Sequence, residues 1–432
     1  MRPRFHRAWY YRAVDLCRAC DDADDRPYDA TMRHFMRRHR EIGRRDARAI
    51  GSLALSTLRH RRRLDWALAR AQIASTWEHR VLLNVVAGDQ ATVDELLPGT
   101  QATAWEPALH ELRPETRSPP SDPAERLSVM GGLPLTLCEN LLARMAEPEA
   151  LALAEALHTP GPLTLRVNPS NVDRTEFAAT LREQGHDVSL GELSPFAVHV
   201  NGRPRLDQSA SYRSGQFEIQ DEGSQVLALL WSGCEGALVV DLCAGAGGKI
   251  LAIAAHDPRA RMIACDVSAT RLSKLEPRRE RSGLPPIETR VITDAPTSLR
   301  DVQGQVDAIL VDAPCTGLGA IRRSPEVSAR VTHDDVERHA SLQRKLLRDA
   351  LLLLRPGGHC VYATCSLHTL ENEHVVDHVL SATTGFELVN PSDTLRRAGV
   401  IAENIVRDDV VELWPHRHGT DGFFAALIRR VG

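Results

Sequence analysis

Five strand-like runs between Ala237 and Thr364 constrain the fold of this 432-residue chain most: ALVVDL (237–242), RMIACDV (261–267), TRVIT (289–293), VDAILVD (306–312) and HCVYAT (359–364). Four of them are mainly apolar, as strands buried on both faces must be. Helical patterns fill the gaps, from Lys249 to Ala255, Ala269 to Arg281 and Asp334 to Leu354. Regular strand–helix alternation of this kind implies an α/β class with a doubly wound, mostly parallel, Rossmann-like sheet. The end of the chain breaks the alternation. VVELWPHRHGTDGFFAALIRR (410–430) reads as two strands joined by a turn, so an antiparallel pair closes one edge.

Upstream the texture changes twice. Residues 1 to about 113 carry apolar positions at helical spacing, such as Met32, Phe35 and Met36. PETRSPPSDP (114–123) has four prolines and reads as a linker. Short helices follow, and then PLTLRVNP (162–169), RTEFAATLREQG (174–185) and FAVHVNG (196–202) spell strand, helix and strand. Three domains are expected: an all-α domain over 1–123, a small α+β module over 124–215 and the α/β domain over 216–432.

Between Thr31 and Arg63 there are eleven arginines against two acids, Glu41 and Asp46, although the whole chain is net −4. Such a stretch suits phosphate contact, since the guanidinium fork matches phosphate oxygens. A charge run is also the ordinary dress of a solvated helix face. Lysine is rare, at positions 249, 274 and 345 only. No apolar stretch is long enough to span a bilayer, and the basic N-terminus lacks the apolar core of a secretory signal. Nine scattered cysteines do not make a disulfide framework, so a cytoplasmic protein is expected, with no membrane partner.

DLCAGAGGK (241–249) leaves a strand and opens a helix, where glycines allow a tight turn and close approach of a ligand. A dinucleotide fingerprint needs a third glycine at position 250, which is Ile250. That disfavours NAD and FAD and suits S-adenosylmethionine, which has no pyrophosphate to cradle, with a glycine-rich turn that binds no ligand as the other reading. Asp266, at the end of the next strand, is placed to accept from the ribose hydroxyls, and Asp294, after the third, to meet the adenine amino group.

Two cysteines leave strand ends at the same sheet edge: Cys315 in DAPCTGLGAIRRSPE (312–326) and Cys365 in TCS. Cys138, Cys234, Cys265 and Cys360 are expected to pack, and the lone pair Cys17 and Cys20 makes no metal site. Two thiols facing a methyl donor suit methylation of a pyrimidine at carbon 5. Thiolate addition at carbon 6 makes carbon 5 nucleophilic, and a carboxyl at ring N3 assists. A free thiol has a pKa of about 8.5, so activation is needed. Lys249 and the helix starting near Thr369 are the candidates.

DLCAGAGGK, DAPCTGLGAIRRSPE and YATCSLHTLENE resemble the cofactor, DAPC and TCS motifs of RNA cytosine-5 methyltransferases, and FEIQDEGSQ (217–225) and HGTDGFF (418–424) resemble flanking motifs of that family. The likeness covers about 216–432 and more loosely the α+β segment, which it marks as a ferredoxin-like RNA-binding module. HREIGRRDARAI and LRHRRRLDW are similar to the NusB-like RNA-binding domain of bacterial small-subunit ribosomal RNA methyltransferases. The resemblance implies a class I S-adenosylmethionine methyltransferase fold. It makes Cys365 the nucleophile and Cys315 the thiol that assists release. Asp312 meets the cytosine and lies close to the cofactor. The cofactor-binding set is Cys243, Ala244, Gly245, Ala246, Gly247, Gly248 and Lys249, with Asp266 and Asp294. The implied partner is RNA, unstacked at the target base, acted on by a monomer.

Two alternatives stay open: a transfer RNA substrate, and a non-catalytic RNA-binding assembly factor descended from the enzyme. The family loop usually reads C-A-A-P-G-G-K-T, where this chain has Gly245, Ala246 and Ile250 in place of Ala, Pro and Thr. Losing the proline predicts a looser loop and weaker cofactor binding. Ser328 and Ala329 stand where the family often has Lys-Trp, so RNA contacts there are not expected to follow the family.

Overall fold

The computed structural model describes residues 6–23, 26–99, 102–113, 117–202, 204–231, 237–293, 295–401 and 403–432. They form two compact units, one of residues 1–159 with 321–332 and one of 160–320 with 333–432.

The first unit is helical. Its longer helices include Arg7–Asp21, Tyr28–Arg38, Arg44–Arg59, Arg61–Arg70, Trp77–Ala87, Pro123–Gly131 and Glu147–His158. Tyr10, Leu16, Tyr28, Leu68 and Leu82 are buried in or beside its core. Trp77 is flanked by two guanidiniums, Arg61 at 5.1 Å and Arg80 at 4.5 Å from its ring centre. The proline-rich segment ends as a helix start. Asp122 accepts from Glu125 N at 2.8 Å, Pro123 takes the first helical position, and Gly132 closes the helix at φ +68°. This unit therefore runs on past the 114–123 linker to Thr159. The segment 321–332 packs with it: Arg330 donates to the carbonyls of Cys20 and Ala23, and the Ser328 hydroxyl to that of Gly132. Ser328 thus has an internal partner where the family motif carries a larger side chain.

The second unit holds two sheets. β1 (Leu163–Val167), β2 (Val188–Leu190), β3 (Ala197–Val200) and β4 (Phe217–Ile219) form an antiparallel sheet in the order β2-β3-β1-β4, backed by helix Arg174–Glu183. The larger sheet contains β5 (Leu238–Asp241), β6 (Arg261–Asp266), β7 (Glu288–Val291), β8 (Val306–Asp312), β9 (Leu354–Thr364), β10 (Phe386–Val389), β11 (Val406–Arg407), β12 (Val410–Leu413) and β13 (Phe423–Arg430). Its order is β11-β12-β13-β9-β8-β5-β6-β7, with β10 beside β13. β7, β6, β5, β8 and β9 run parallel, and β13 pairs antiparallel with both β9 and β12. The expected C-terminal pair is present; β10 and β11 join it. Strand order reverses between β5 and β8, and ligands of open α/β sheets bind beyond the carboxyl ends at such a point.

Glu218 on β4 is buried and meets two guanidiniums, Arg278 at 3.0 Å and Arg281. Arg166 on β1 is also buried and donates to Gly248 O at 2.8 Å, while Arg278 donates to Ala246 O at 2.6 Å. The small sheet is tied in this way to the glycine loop. Glu218→Ala leaves two half-buried guanidiniums without their counter-charge and should destabilise the unit by about 2 kcal/mol, measured by urea unfolding.

Candidate active site

The glycine loop runs from β5 into helix Gly248–His256. Gly245 and Gly247 hold φ of +56° and +85°, a region that other residues enter only at a cost. Three backbone atoms fix the loop: Gly245 N donates to Asp266 Oδ2 at 2.8 Å, and the Ala246 and Gly248 carbonyls accept from Arg278 and Arg166. Backbone hydrogen bonds take the place of the missing proline ring as the constraint. Ile250, in the third glycine's place, is fully buried in the core.

Asp266 is 2% exposed, and its other oxygen accepts from Ser268 N and Arg271 Nη2, each at 2.8 Å. It shapes the loop as well as standing at the expected strand end. Cys243 is partly exposed, and burial together with the carboxylates of Asp241 and Asp312 pushes its pKa up. Asp294 and Cys234 lie outside the described residues.

Lys249 donates to Asp312 Oδ2 at 2.5 Å. Burial alone would lower the Lys249 pKa; the Asp312 carboxylate and its hydrogen bond outweigh that and raise it. The ammonium also feels Cys365 and lies 5.8 Å from the Phe423 ring centre. Lys249 therefore stays charged within electrostatic reach of Cys365. The segment from Thr369 begins as a short 3₁₀ turn before helix Glu373–Ala382.

The Cys315 and Cys365 sulfurs are 3.3 Å apart. The hydrogen bond to Cys365, then burial, raise the Cys315 pKa well above its ordinary value. Cys315 is thus held toward its protonated form, in hydrogen-bond contact with Cys365. The remaining described cysteines of the parallel sheet, Cys265 and Cys360, are fully buried, as are Cys17, Cys20 and Cys138 of the first unit.

Sequence reasoning passed over the group that joins the two cysteine loops. Glu371 is fully buried and accepts from Thr316 N at 2.8 Å, from Gln343 Nε2 at 3.2 Å, from Ser366 Oγ at 2.5 Å and from the Thr316 hydroxyl. One carboxylate thereby binds the residue after each cysteine. A second junction is steric: Gly319 N donates to Cys365 O at 2.8 Å and Gly422 N to Gly319 O at 2.8 Å. A Cβ on Gly319 would fall 2.1 Å from the Gly422 carbonyl oxygen. The acid in LENE and the glycine of HGTDGFF were legible as letters, but nothing in their spacing pointed to this contact.

Asp241, at the end of β5, is 1% exposed and its Oδ1 has no hydrogen-bond partner. Burial first, then the Asp312 charge, raises its pKa from 3.8 to about 8. The folded chain then holds a proton that the unfolded chain releases. Its contribution is complete below the ordinary carboxylate range and is lost as pH rises toward 8. Relative to Asp241→Asn, the wild type should lose stability between about pH 5 and about pH 8 in urea titrations. Glu371→Gln sets an amide NH₂ against donors and should cost about 2 kcal/mol, read as a lowered urea midpoint, with faster alkylation of Cys365.

Among the described residues no group of three or more side chains suited to holding a metal occurs, and no helix is long and apolar enough to cross a membrane.

A family model described as 16S rRNA methyltransferase RsmB/F matches residues 228–429, and one described as a Methyltr_RsmF/B-like, ferredoxin-like domain matches 133–207. The chain is similar to the putative methyltransferase Rv1407 of Mycobacterium tuberculosis, 38% identical over 280 residues, 62% of this chain and 56% of that protein. The chain thus spans little more than half the length of that relative. The probable ribosomal RNA small subunit methyltransferase B of Bacillus subtilis is 31% identical over 317 residues, 72% of this chain and 69% of its own. Of solved structures, a methyltransferase homolog protein from Pyrococcus horikoshii is 26% identical with a TM-score of 0.58, covering 71% of this chain and 98% of its own. The structure of PH0851 shares the fold, with a TM-score of 0.75 and 22% identity over 99% of both chains.

Proposed function

This chain belongs to the 16S rRNA methyltransferase RsmB/F family, and from that premise we propose that it methylates carbon 5 of a cytosine in small-subunit ribosomal RNA through a Cys365–carbon 6 bond. The observation that carries the reading is the Cys315–Cys365 pair, 3.3 Å apart, with Lys249 charged within electrostatic reach of Cys365. S-adenosylmethionine, held by residues 243–249 with Asp266 and Asp294, supplies the methyl group when bound. The loop suits such a ligand: a Cβ at Gly245 would meet nothing within 4 Å, and Asp241 Oδ1 lacks a partner.

Cys365 is the nucleophile. Lys249 stabilises its thiolate, and the sulfur adds to carbon 6, which moves the ring electrons toward carbon 5. Asp312, a third exposed, turns toward the N3 edge of the base, where a proton held between its carboxyl and N3 stabilises the charge that addition puts on the ring. After methylation a base removes the carbon-5 proton, and the electrons of that C–H bond expel the Cys365 thiolate. Cys315 assists release, because its S–H hydrogen-bonds the departing sulfur. The helical N-terminal domain, NusB-like by its resemblance, and the ferredoxin-like module that follows bind the RNA for a cytoplasmic monomer. Ribosomal RNA is favoured over transfer RNA by the name of the Bacillus relative.

Cys365→Ala should reduce methyl incorporation into ribosomal RNA to background. Cys315→Ala should trap RNA on the protein as a band that survives a denaturing gel. Full activity in Cys365→Ala overturns the mechanism.

A further inference from the structure

A cavity of about 560 Å³ in the first unit is lined by Arg59, His60, Arg63, Arg117 and His158, with Glu155 the one acid on its wall. These residues come from helices Arg44–Arg59, Arg61–Arg70 and Glu147–His158, from His60 between the first two, and from Arg117. The floor is closely built. A Cβ on Gly132 would fall 2.8 Å from His158 Nε2, so the ring lies directly on the backbone.

Two of the arginines in this cavity lack a counter-charge. Among the described residues neither Arg63 nor Arg117 has an ion pair, and Arg63 donates only to the neutral carbonyl of Leu112 while its Nε is buried without a partner. Burial first, then the Arg117 charge, lowers the Arg63 pKa, so the two guanidiniums sense each other directly. His158 lies against the Gly131–Gly132 backbone, and burial first, then the His60 and Arg59 charges, lowers its pKa to about 4, so the neutral ring can offer one N–H to an anion. Converging cations and unpaired buried donors are costly until an anion meets them. Phosphate oxygens match guanidinium forks, and imidazole N–H groups add donors.

The next cleft indicates what carries the phosphate. It measures about 740 Å³, shares Val129 with the cavity, and is lined by Trp66, Arg62 and Arg70, the last paired with Glu111 at 3.2 Å. An aromatic face near guanidiniums is a platform for a stacked base. We propose that the two clefts form one nucleotide subsite of a single-stranded RNA site, with a backbone phosphate on Arg63, Arg117 and His158 and a base on Trp66. The proposal rests on the RNA substrate inferred above.

The test uses the full chain and a fluorescent single-stranded oligonucleotide of small-subunit ribosomal RNA sequence, with binding read by anisotropy across a salt series. Arg63→Gln/Arg117→Gln should weaken binding at least ~10-fold and make the log K against log salt slope shallower by about 0.7 for each phosphate no longer neutralised. Arg117→Glu, a substitution at a side chain without an internal ion pair, should act in the same direction and keeps the test valid if the double variant is unstable. Trp66→Leu should weaken binding with the salt slope unchanged. RNA binding within twofold of wild type in folded Arg117→Glu overturns the subsite and leaves the methyltransferase reading intact. Inorganic phosphate that binds the wild type, with RNA binding indifferent to the arginine variants, also overturns it and marks a small-anion site. A wild type that binds no RNA overturns both readings.

Discussion

Glu371 has no exposed surface, and a carboxylate in that position must be surrounded by donors or give up its charge. Here four donors from three segments surround it, and two of those segments carry the cysteines. The two loops leave different strands, β8 and β9, whose parallel pairing brings Asp312 opposite Ala363. Strand pairing alone therefore delivers the loops to one edge. The carboxylate then fixes the residues just beyond each sulfur, and the Gly319–Gly422 contact closes the third side. The 3.3 Å separation of the sulfurs depends on all three.

The two aspartates at the switch point have opposite tasks. Asp241 lies beneath the surface with one oxygen unpartnered and keeps its proton to about pH 8. Asp312 is a third exposed and bonded to Lys249. Two adjacent carboxylates beside one ammonium are easier to hold when only one of them is charged. The same division appears in sulfur: Cys315 is held toward its protonated form, and its neighbour lies within the field of Lys249. Environments that push paired groups apart are how one site holds an acid and a nucleophile together.

Much of this was legible in advance because parallel strands buried on both faces leave apolar runs in the sequence. VDAILVD is β8 residue for residue, and 237–242 and 261–267 overrun β5 and β6 only at their ends. The expected helix from Ala269 to Arg281 forms as two pieces, Ala269–Leu272 and Leu275–Arg281, since Pro277 has no N–H to offer the turn before it. β10 and β11 are short and half-buried, so they leave no apolar run to read. Cys365, Cys315, Asp312 and Lys249 are brought together as their motifs suggested. Glu371, Arg166, Glu218 and Arg278 were missed for one reason: each acts through a partner far away in sequence, and no local period encodes such a pairing.

Arginine shows the same limit from the other side. The run between Thr31 and Arg63 reads as one basic stretch, yet its members differ in what they meet. Arg61 bonds Asp21 at 2.7 Å and stacks on Trp77, and Arg62 donates to Ser328 O at 3.2 Å. Arg37, Arg38, Arg40, Arg44, Arg45 and Arg48 stand exposed. Arg63 belongs to neither set, being drawn inward without a carboxylate to neutralise it. A solvated arginine costs nothing to keep, and a paired one is offset by its partner. A desolvated cation beside another cation has neither compensation, so folding must overcome it with packing elsewhere. An anionic ligand that enters the cavity removes that cost, and the free energy released appears as affinity.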